Sequence, residues 1–578
     1  MSRYARGRLT VVGTAAGIGA TVAMVPSAQA ADLTVTSTAD SGAGSLREAI
    51  NTANLTPATG DRILFQSGLS GAITLAGDLP RLAGPTEING PGMDQLKIEG
   101  SKQFSIFASL KDTSVSGLTL ANGSYVHGGN IIVIGADLTV DRTRIEGGFA
   151  TFKPGNPITI HRGGGIFFED GNLEIRDSQF SGNEAEWGGG LYALDAKVTI
   201  SGTSFTGNKA FRENERETHG GGAFLDLAPG GQSTITGSTF SGNIAREAGG
   251  VEAQGGSLSI ASSLFSGNTG EDTLGALSLG KLGGSGSYGI SNSTFTGNAT
   301  GGYAGNIATF GQNTEIVAST VTDNTAMAGG FGGIVHTAGL LQLSNSIVTG
   351  NDMGDIATIP EPGVGGAVGS SFNLIENDQL ADVIETVPGS NITSSDPQLG
   401  PLADNGGPTM TMLPAETSPV VNVGSSSLPV DQRGLIRPVN FNAIPFSTAP
   451  GANGADIGAV ELQNTPPPVP PPVPTPSSNF KFGKVKLNKK KGVATLQVKV
   501  PGAGKVLLLG SKTVAKSSKK SKRKSTVKLT VKAKGKAAKK LKKKGKAKVK
   551  AKVKFTPTGG KSKTKSKTVK LIKKKKKR

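Results

Sequence analysis

The chain has 578 residues, 85 of them glycine, a formal net charge of +20 and no cysteine, which excludes a disulfide framework and leaves burial and backbone pairing to hold the fold. The charge is divided: residues 479–578 hold 38 Lys and 2 Arg with no acid, while residues 31–478 hold 19 basic against 42 acidic residues. An acidic body of −23 is therefore joined to a basic module of +40.

At the N-terminus Arg3, Arg6 and Arg8 precede an apolar run from Leu9 to Val25 that ends in Ala28-Gln29-Ala30. This pattern predicts a secretory signal peptide, residues 1–30, cleaved at Ala30. No later segment is apolar over a length that spans a bilayer, so no transmembrane anchor is expected. Within GAGSLREAINTAN, Gly42 to Asn54, the spacing of Leu46, Ala49 and Ile50 predicts a short amphipathic helix able to cap the first layer of a stacked structure. Arg47 and Glu48 are read as a capping ion pair in preference to catalytic groups.

Internal repetition dominates the body. LEIRDSQFSGN, VTISGTSFTGN, STITGSTFSGN, LSIASSLFSGN and YGISNSTFTGN recur, with looser copies on either side. Aligned on the large apolar residue, they place Ile145, Phe180, Phe205, Phe240, Phe265, Phe295, Val321 and Val348 in register. Val140, Ile175, Ile200, Ile235, Ile260, Ile290, Ile316 and Leu343 stand five residues earlier, and Ser or Thr always stands two residues earlier. Six of the eight copies end in Gly-Asn, and Asn324 keeps that place behind Asp323. Apolar residues alternate as in a strand, break at a bend and resume, and no helical period appears. One copy cannot bury its own apolar face, so copies must stack at ~4.8 Å per coil, with Ile on Ile, Phe on Phe, and aligned Asn residues bonding along the stack. The pattern predicts an all-β chain whose residues 31–464 form a right-handed parallel β-helix, a solenoid of about twelve coils.

The FSGN and FTGN tetrads, with GGGL at 188–191 and GGAF at 221–224, resemble the paired FxxN and GGA repeats of polymorphic outer-membrane adhesins over roughly residues 138–351. GAGSLREAINTAN resembles the CSLREA motif that begins many secreted bacterial β-helix proteins, with Gly44 in the place of the cysteine. DPQLGPLADNGGPTMTMLPAETSPVV, DQRG at 431–434 and ADIGAVEL at 455–462 resemble the choice-of-anchor Q region, with Asn422 where that family usually has Asp. These resemblances imply a secreted surface protein. Asp431, Arg433, Arg437 and Asp456 are expected to knit the C-terminal closure of the rod.

Residues 465–478, TPPPVPPPVPTPSS, read as a stiff extended linker. Beyond it VATLQVKV, KVLLLG, STVKLTVKAKG, KAKVKAKVKFTPTGG and TKSKTVKLI alternate apolar residues with lysine, which predicts a small Lys-rich β-sandwich with a turn at TPTGG. It is similar to the Lys-rich Ig-like modules of secreted actinobacterial proteins. Order and disorder both remain open for Lys519 to Lys552, where like charges crowd. Such a module suits a cell-wall polyanion or polysaccharide, and Phe480, Phe482 and Phe555, its only aromatic residues, are too few for dedicated nucleic-acid recognition. The protein is expected to be a monomer, retained non-covalently at the wall.

Two features bear on function. Polysaccharide lyases and hydrolases with this fold carry aspartates or a Ca²⁺-plus-Arg site on one outer face, whereas outward positions here are mostly Thr, Ser, Gly and Asn, with no aspartate cluster at the required in-strand spacing. Two longer loops, 149–162 and 209–219, flank a short turn, Glu184-Ala185-Glu186-Trp187, which carries the only tryptophan. Glu184, Glu186, Trp187, His161, Arg162, Arg212, Glu215 and His219, with Lys153, Glu213, Arg216 and Glu217, would line a groove. An indole floor with charged walls suits a sugar ring, though a solvated charged loop explains the same residues. The alternative use of this groove is catalysis by Glu184 and Glu186, or with His219 as base. His127 and His336, beside glycine-rich turns, are read as structural. No cofactor is expected; Glu271-Asp272 and Asp352-Asp355 are weak Ca²⁺ candidates without established ligand spacing.

Overall fold

A computed structural model describes residues 30–574, apart from 152–159, 213–216, 282–283, 285, 303–304, 311–312, 328, 360–365, 377–382, 394–395, 442–443, 465–476 and 559–560. The signal peptide, nearly all of the proline linker, the end of the TPTGG turn, and Lys153, Glu213, Glu215 and Arg216 lie outside the described residues. The chain is nearly all β, with 49% strand and 4% helix, and divides into two compact units at Asn464 and Thr465.

The first unit is a parallel β-solenoid of about 12 turns. Its strands form a long sheet of 20, a second sheet of 13 and a third of 8. The register is the one the repeats predict: Ile175 pairs with Ile200, Ile200 with Ile235, and Ile235 with Ile260. On the second sheet Phe180, Phe205, Phe240, Phe265 and Phe295 pair in succession. Their rings stack with centroids 4.4 to 4.9 Å apart. These side chains are fully buried in one continuous core, which is how copies too small to fold alone become stable together.

Two polar ladders run beside the phenylalanines. The Asn208 N–H and Nδ2 both donate to Asn243 Oδ1, at 2.9 and 3.0 Å, and Asn208 Nδ2 also reaches Phe180 O at 3.0 Å. The same pattern repeats at Asn183, Asn243, Asn268, Asn298 and Asn324, satisfying backbone groups that the turn would otherwise strand. The row ends at Asp355, whose Oδ1 accepts the Asn351 N–H and Nδ2 at 3.2 and 2.8 Å. The Ser/Thr positions form the second ladder. The Ser238 hydroxyl accepts the Thr203 N–H at 3.2 Å and donates to Thr236 O at 2.9 Å.

Helix α1 (Leu46–Ala53) buries Leu46, Ala49, Ile50 and Ala53, and Ser45 caps it by accepting the Glu48 N–H. Arg47 and Glu48 have separate partners: Arg47 pairs with Asp40 at 2.6 Å, and Glu48 accepts the Gly44 N–H. At the other end, residues 396–464 do more than close the last coil. Thr409 bonds Ser262 O, Gln432 bonds Ser263 O, Arg437 bonds Asn292 and Ala459 bonds Thr320, so the segment runs back along one flank of the rod. Arg433 pairs with Asp431 at 2.8 Å, and Arg437 with the fully buried Glu461 at 3.0 Å. Asn422 spends its amide on Phe441 and Ile444 carbonyls and accepts the Phe441 N–H, a purely structural set.

In the second unit, antiparallel sheets of three and four strands enclose one apolar core. The strand Lys546–Pro557 shows the principle: Ala547, Val549, Ala551, Val553 and Phe555 are buried while the intervening lysines face out. Between Lys519 and Lys552 the chain forms the strand Ser525–Val531 and a helix, α2 (Gly535–Lys544), which docks Ala537 and Leu541 on the core. The helix was not expected from the alternation. It ends at Gly545, whose φ of 68° suits glycine.

Candidate functional site

Four successive coils turn from the third sheet into the long sheet at a glycine, and the next turns at Ala248, whose φ is 53°. Gly128, Gly163, Gly188 and Gly220 have φ between 60° and 68°, and a Cβ on any of them would lie 2.1 to 2.4 Å from a carbonyl oxygen three residues on. The residue before each glycine is thereby set at a corner and paired with its counterpart in the next coil. Parallel bridges link His127 to Arg162, Arg162 to Trp187, Trp187 to His219, and His219 to Glu247. The expected turn at 184–187 is thus part strand, Glu184–Ala185, and part corner row.

A second row lies beside the first. Ile132, Phe167, Tyr192, Phe224 and Glu252 are in register at the first outward position of the long sheet. Phe167, Tyr192 and Phe224 stack almost parallel, at 5.5 and 5.2 Å, and are buried. The two rows interlock. His127 stacks on Phe167 at 4.9 Å, the Arg162 guanidinium lies 5.2 Å from the Tyr192 ring and 5.5 Å from Trp187, and Trp187 tilts against Phe224 at 5.1 Å. Burial pushes the Tyr192 phenol up to about 12. Burial, with Arg162 and His161 nearby, pulls the His127 imidazole down to about 4. At the N-terminal end of the rows, His127 and Phe167 also line a 280 Å³ cleft shared with Leu79, Arg81, Leu110 and Tyr125.

The groove residues expected from sequence separate into three groups. Arg162, Trp187 and His219 stand together in the corner row. His161, Glu186 and Arg212 form a layer beneath it: Glu186 is 5% exposed, one oxygen against His161 Nδ1 and the other 2.9 Å from Arg212. Glu184 stands apart on the third sheet, in register with Phe149 and Lys209. Of the groups considered for catalysis, Glu186 is therefore an anchored buried carboxylate. His219 is bonded to Glu252 at 2.9 Å and lies 3.6 Å from Glu247. Burial opposes its protonation, but the Glu252 bond and the charges of Glu252, Glu247 and Glu217 outweigh it and raise its pKa.

Sequence reasoning missed Phe167, Tyr192, Phe224, Glu247 and Glu252. The signal was present in GGGIFF, GGGLYAL and GGGAFL, where an aromatic residue follows the glycine triplet at the same offset. It also missed carboxylates at the next outward position, where Glu169, Leu194, Asp226 and Gln254 are in register. Burial foremost raises the pKa of both Glu169 and Asp226. Glu169 and Asp226 are exceptions among outward positions expected to be mostly Thr, Ser, Gly and Asn.

His336 is buried, bonded to Thr309 at 2.7 Å and Gly339 O at 3.1 Å. Of the Ca²⁺ candidates, Asp272 pairs with Arg246, Asp352 accepts the Ala326 N–H and Asp355 ends the asparagine ladder. Among the described residues, His219, Glu247 and Glu252 are the one group of three His, Asp or Glu whose ligand atoms all lie within 4.8 Å of one another. No described helix is long and apolar enough to cross a membrane. No family model matches the chain, and no curated protein matches it in sequence.

Proposed function

We propose that this is a secreted β-helix protein that binds a carbohydrate polymer along its flank and is retained at the cell envelope by its polycationic C-terminal module. The observation that carries the reading is the corner row, His127–Arg162–Trp187–His219–Glu247, with the aromatic row beside it. One side chain per coil at ~4.8 Å repeats along the axis of the rod, so a chain-like ligand meets an aromatic or charged group at each step. A half-buried indole offers a face to sugar C–H groups while Arg162 and His219 offer donors to hydroxyls. The likeness of GAGSLREAINTAN to the CSLREA motif, of the FxxN and GGA repeats to outer-membrane adhesins, and of residues 396–462 to the choice-of-anchor Q region agrees with a surface role. The Arg-rich leader and the +40 module agree with export and attachment to a wall polyanion.

A glycan array with the first unit, then calorimetry on any hit, tests this reading. Trp187→Ala should weaken binding by about 1–2 kcal/mol in a variant whose circular dichroism at the assay temperature is that of the folded protein. Undiminished binding would move the site elsewhere.

A second reading, a polysaccharide lyase or glycoside hydrolase, is favoured by Glu169 and Asp226. They lie two coils apart in one outward row, ~10 Å by the coil spacing, with carboxyls made more basic by burial. Release of oligosaccharide from an acidic polysaccharide, lost in Glu169→Gln or Asp226→Asn with binding retained, would establish it. Binding without product supports the first reading.

A further inference from the structure

We propose that His219, Glu247 and Glu252 form a binding site for one divalent transition-metal ion, with Zn²⁺ the best fit. His219 and Glu247 are neighbours in the corner row, and Glu252 follows on the strand Val251–Ala261, in register with Phe224 of the previous coil. His219 Nδ1 lies 2.9 Å from Glu252 Oε2 and 3.6 Å from Glu247 Oε2. Tetrahedral zinc with ligand bonds of about 2.0–2.1 Å sets its ligand atoms about 3.3 Å apart, and the two observed separations straddle that value.

The charge balance points the same way. Two carboxylates share the site, and among the described residues His219 is the sole basic group that forms an ion pair with either. Glu217 adds a further negative charge nearby. The neighbouring cations are committed: Arg212 to Glu186 and Arg246 to Asp272. A divalent ion supplies the missing positive charge. The ligand backbones are held before any ion arrives, since the Glu247 N–H donates to Thr218 O at 2.9 Å and the Gly220 N–H to Glu247 O at 3.0 Å. Trp187 packs against the edge of the His219 ring at 4.7 Å and fixes its orientation.

An imidazole with two carboxylates suits zinc and its neighbours in the transition series, whereas Ca²⁺ takes about 6–8 oxygen ligands, more than this corner provides. Three protein ligands leave a fourth position for water or for a hydroxyl or carboxylate of a bound molecule. The inference stands on this geometry and does not rest on glycan binding.

The test is calorimetric titration of the metal-stripped full chain with ZnCl₂ near neutral pH, repeated with CaCl₂. The expected result is one Zn²⁺ per chain, no displacement by Ca²⁺, and a loss of affinity of at least about tenfold in Glu252→Gln and in His219→Ala. Circular dichroism checks that each variant is folded, and Glu252→Gln preserves side-chain shape should His219→Ala fail to fold. Co²⁺ substitution adds a direct readout, since a tetrahedral site gives strong visible absorption that Glu252→Gln should abolish. Absence of binding, or Zn²⁺ binding and Co²⁺ absorption unchanged in Glu252→Gln, would overturn the proposal and leave His219 as a hydrogen-bonding partner of Glu252 beside Glu247.

Discussion

Phe240 packs between Phe205 and Phe265, with ring centroids 4.7 and 4.9 Å away, and has no exposed surface. A carboxylate there has neither water nor a partner, so Phe240→Asp should cost about 4 kcal/mol or more, while Ser241→Asp, on the outward side, should cost little. Equal thermal melts for the two variants would refute the register. Asn243 tests the polar ladder in the same way. Its side chain accepts two hydrogen bonds from Asn208 and donates to Phe205 O and Asn268 Oδ1, so Asn243→Ala strands several buried groups and should cost about 2–4 kcal/mol by denaturant titration. His127 gives a pH dependence. Its imidazole titrates at about 4 in the fold against an ordinary 6.5, so between those values the unfolded chain binds more protons. Its contribution should be fully present above pH 6.5 and be lost as pH falls towards about 4. Subtracting the denaturation midpoints of His127→Phe from those of the wild type across that window isolates this slope.

Elements differ in how openly the sequence announces them. The Ile and Phe positions of the coils were legible because each repeat carries enough alternation to fix a strand and its register. Helix α1 was legible through the spacing of Leu46, Ala49 and Ile50. The third sheet was not: Glu184–Ala185 and Lys209–Ala210 are two residues each, too short for any period to show. Of the candidate site, Arg162, Trp187 and His219 were found by loop length and composition. Phe167, Tyr192 and Phe224 were not, because their common offset shows only when the coils are aligned on the glycine triplets and not on the large apolar residue of the repeat. The burial of Glu186 was hidden too, since His161 and Arg212 reach it from adjacent coils. The flank segment was read as an end closure because its contacts, such as Gln432 with Ser263, join residues remote in sequence. Its key bond is Arg437 to Glu461, both side chains fully buried. Arg437→Met should cost about 3–5 kcal/mol by leaving the Glu461 charge unpaired, and should expose residues 396–464 to limited proteolysis before the coils unfold. Simultaneous cleavage of segment and coils would show that the two are one cooperative unit.

The whole molecule combines a body of −23 with a module of +40, and the module has its own buried core. A polycation releases counterions when it meets a polyanion, so the affinity of residues 479–578 for isolated wall polymer should fall steeply with salt and vanish below ~1 M NaCl, where the Debye length is ~3 Å. Truncation after Gln463 should release the protein into the medium, and removal of the final KKKKKR should shift elution modestly, because 34 of the 40 charges remain. Salt-insensitive retention would point to stereospecific or covalent anchoring, and retention of the truncated chain would place the anchor in the first unit. The rod also possesses a direction that its symmetry conceals. Each asparagine from Asn208 to Asn324 accepts a hydrogen bond from the coil before it and donates one to the coil after, whereas Asn351 donates to Asp355, four residues on in its own coil, and that carboxylate accepts without donating further. The ladder therefore reads as a sentence with a full stop. A coil duplicated among the asparagines inherits a complete set of partners on both sides, while the strands beyond Asp355, Gly366–Ser371 and Leu374–Ile375 among them, continue the sheets with no donor from that carboxylate, so the ladder, unlike the sheets, lengthens only from within.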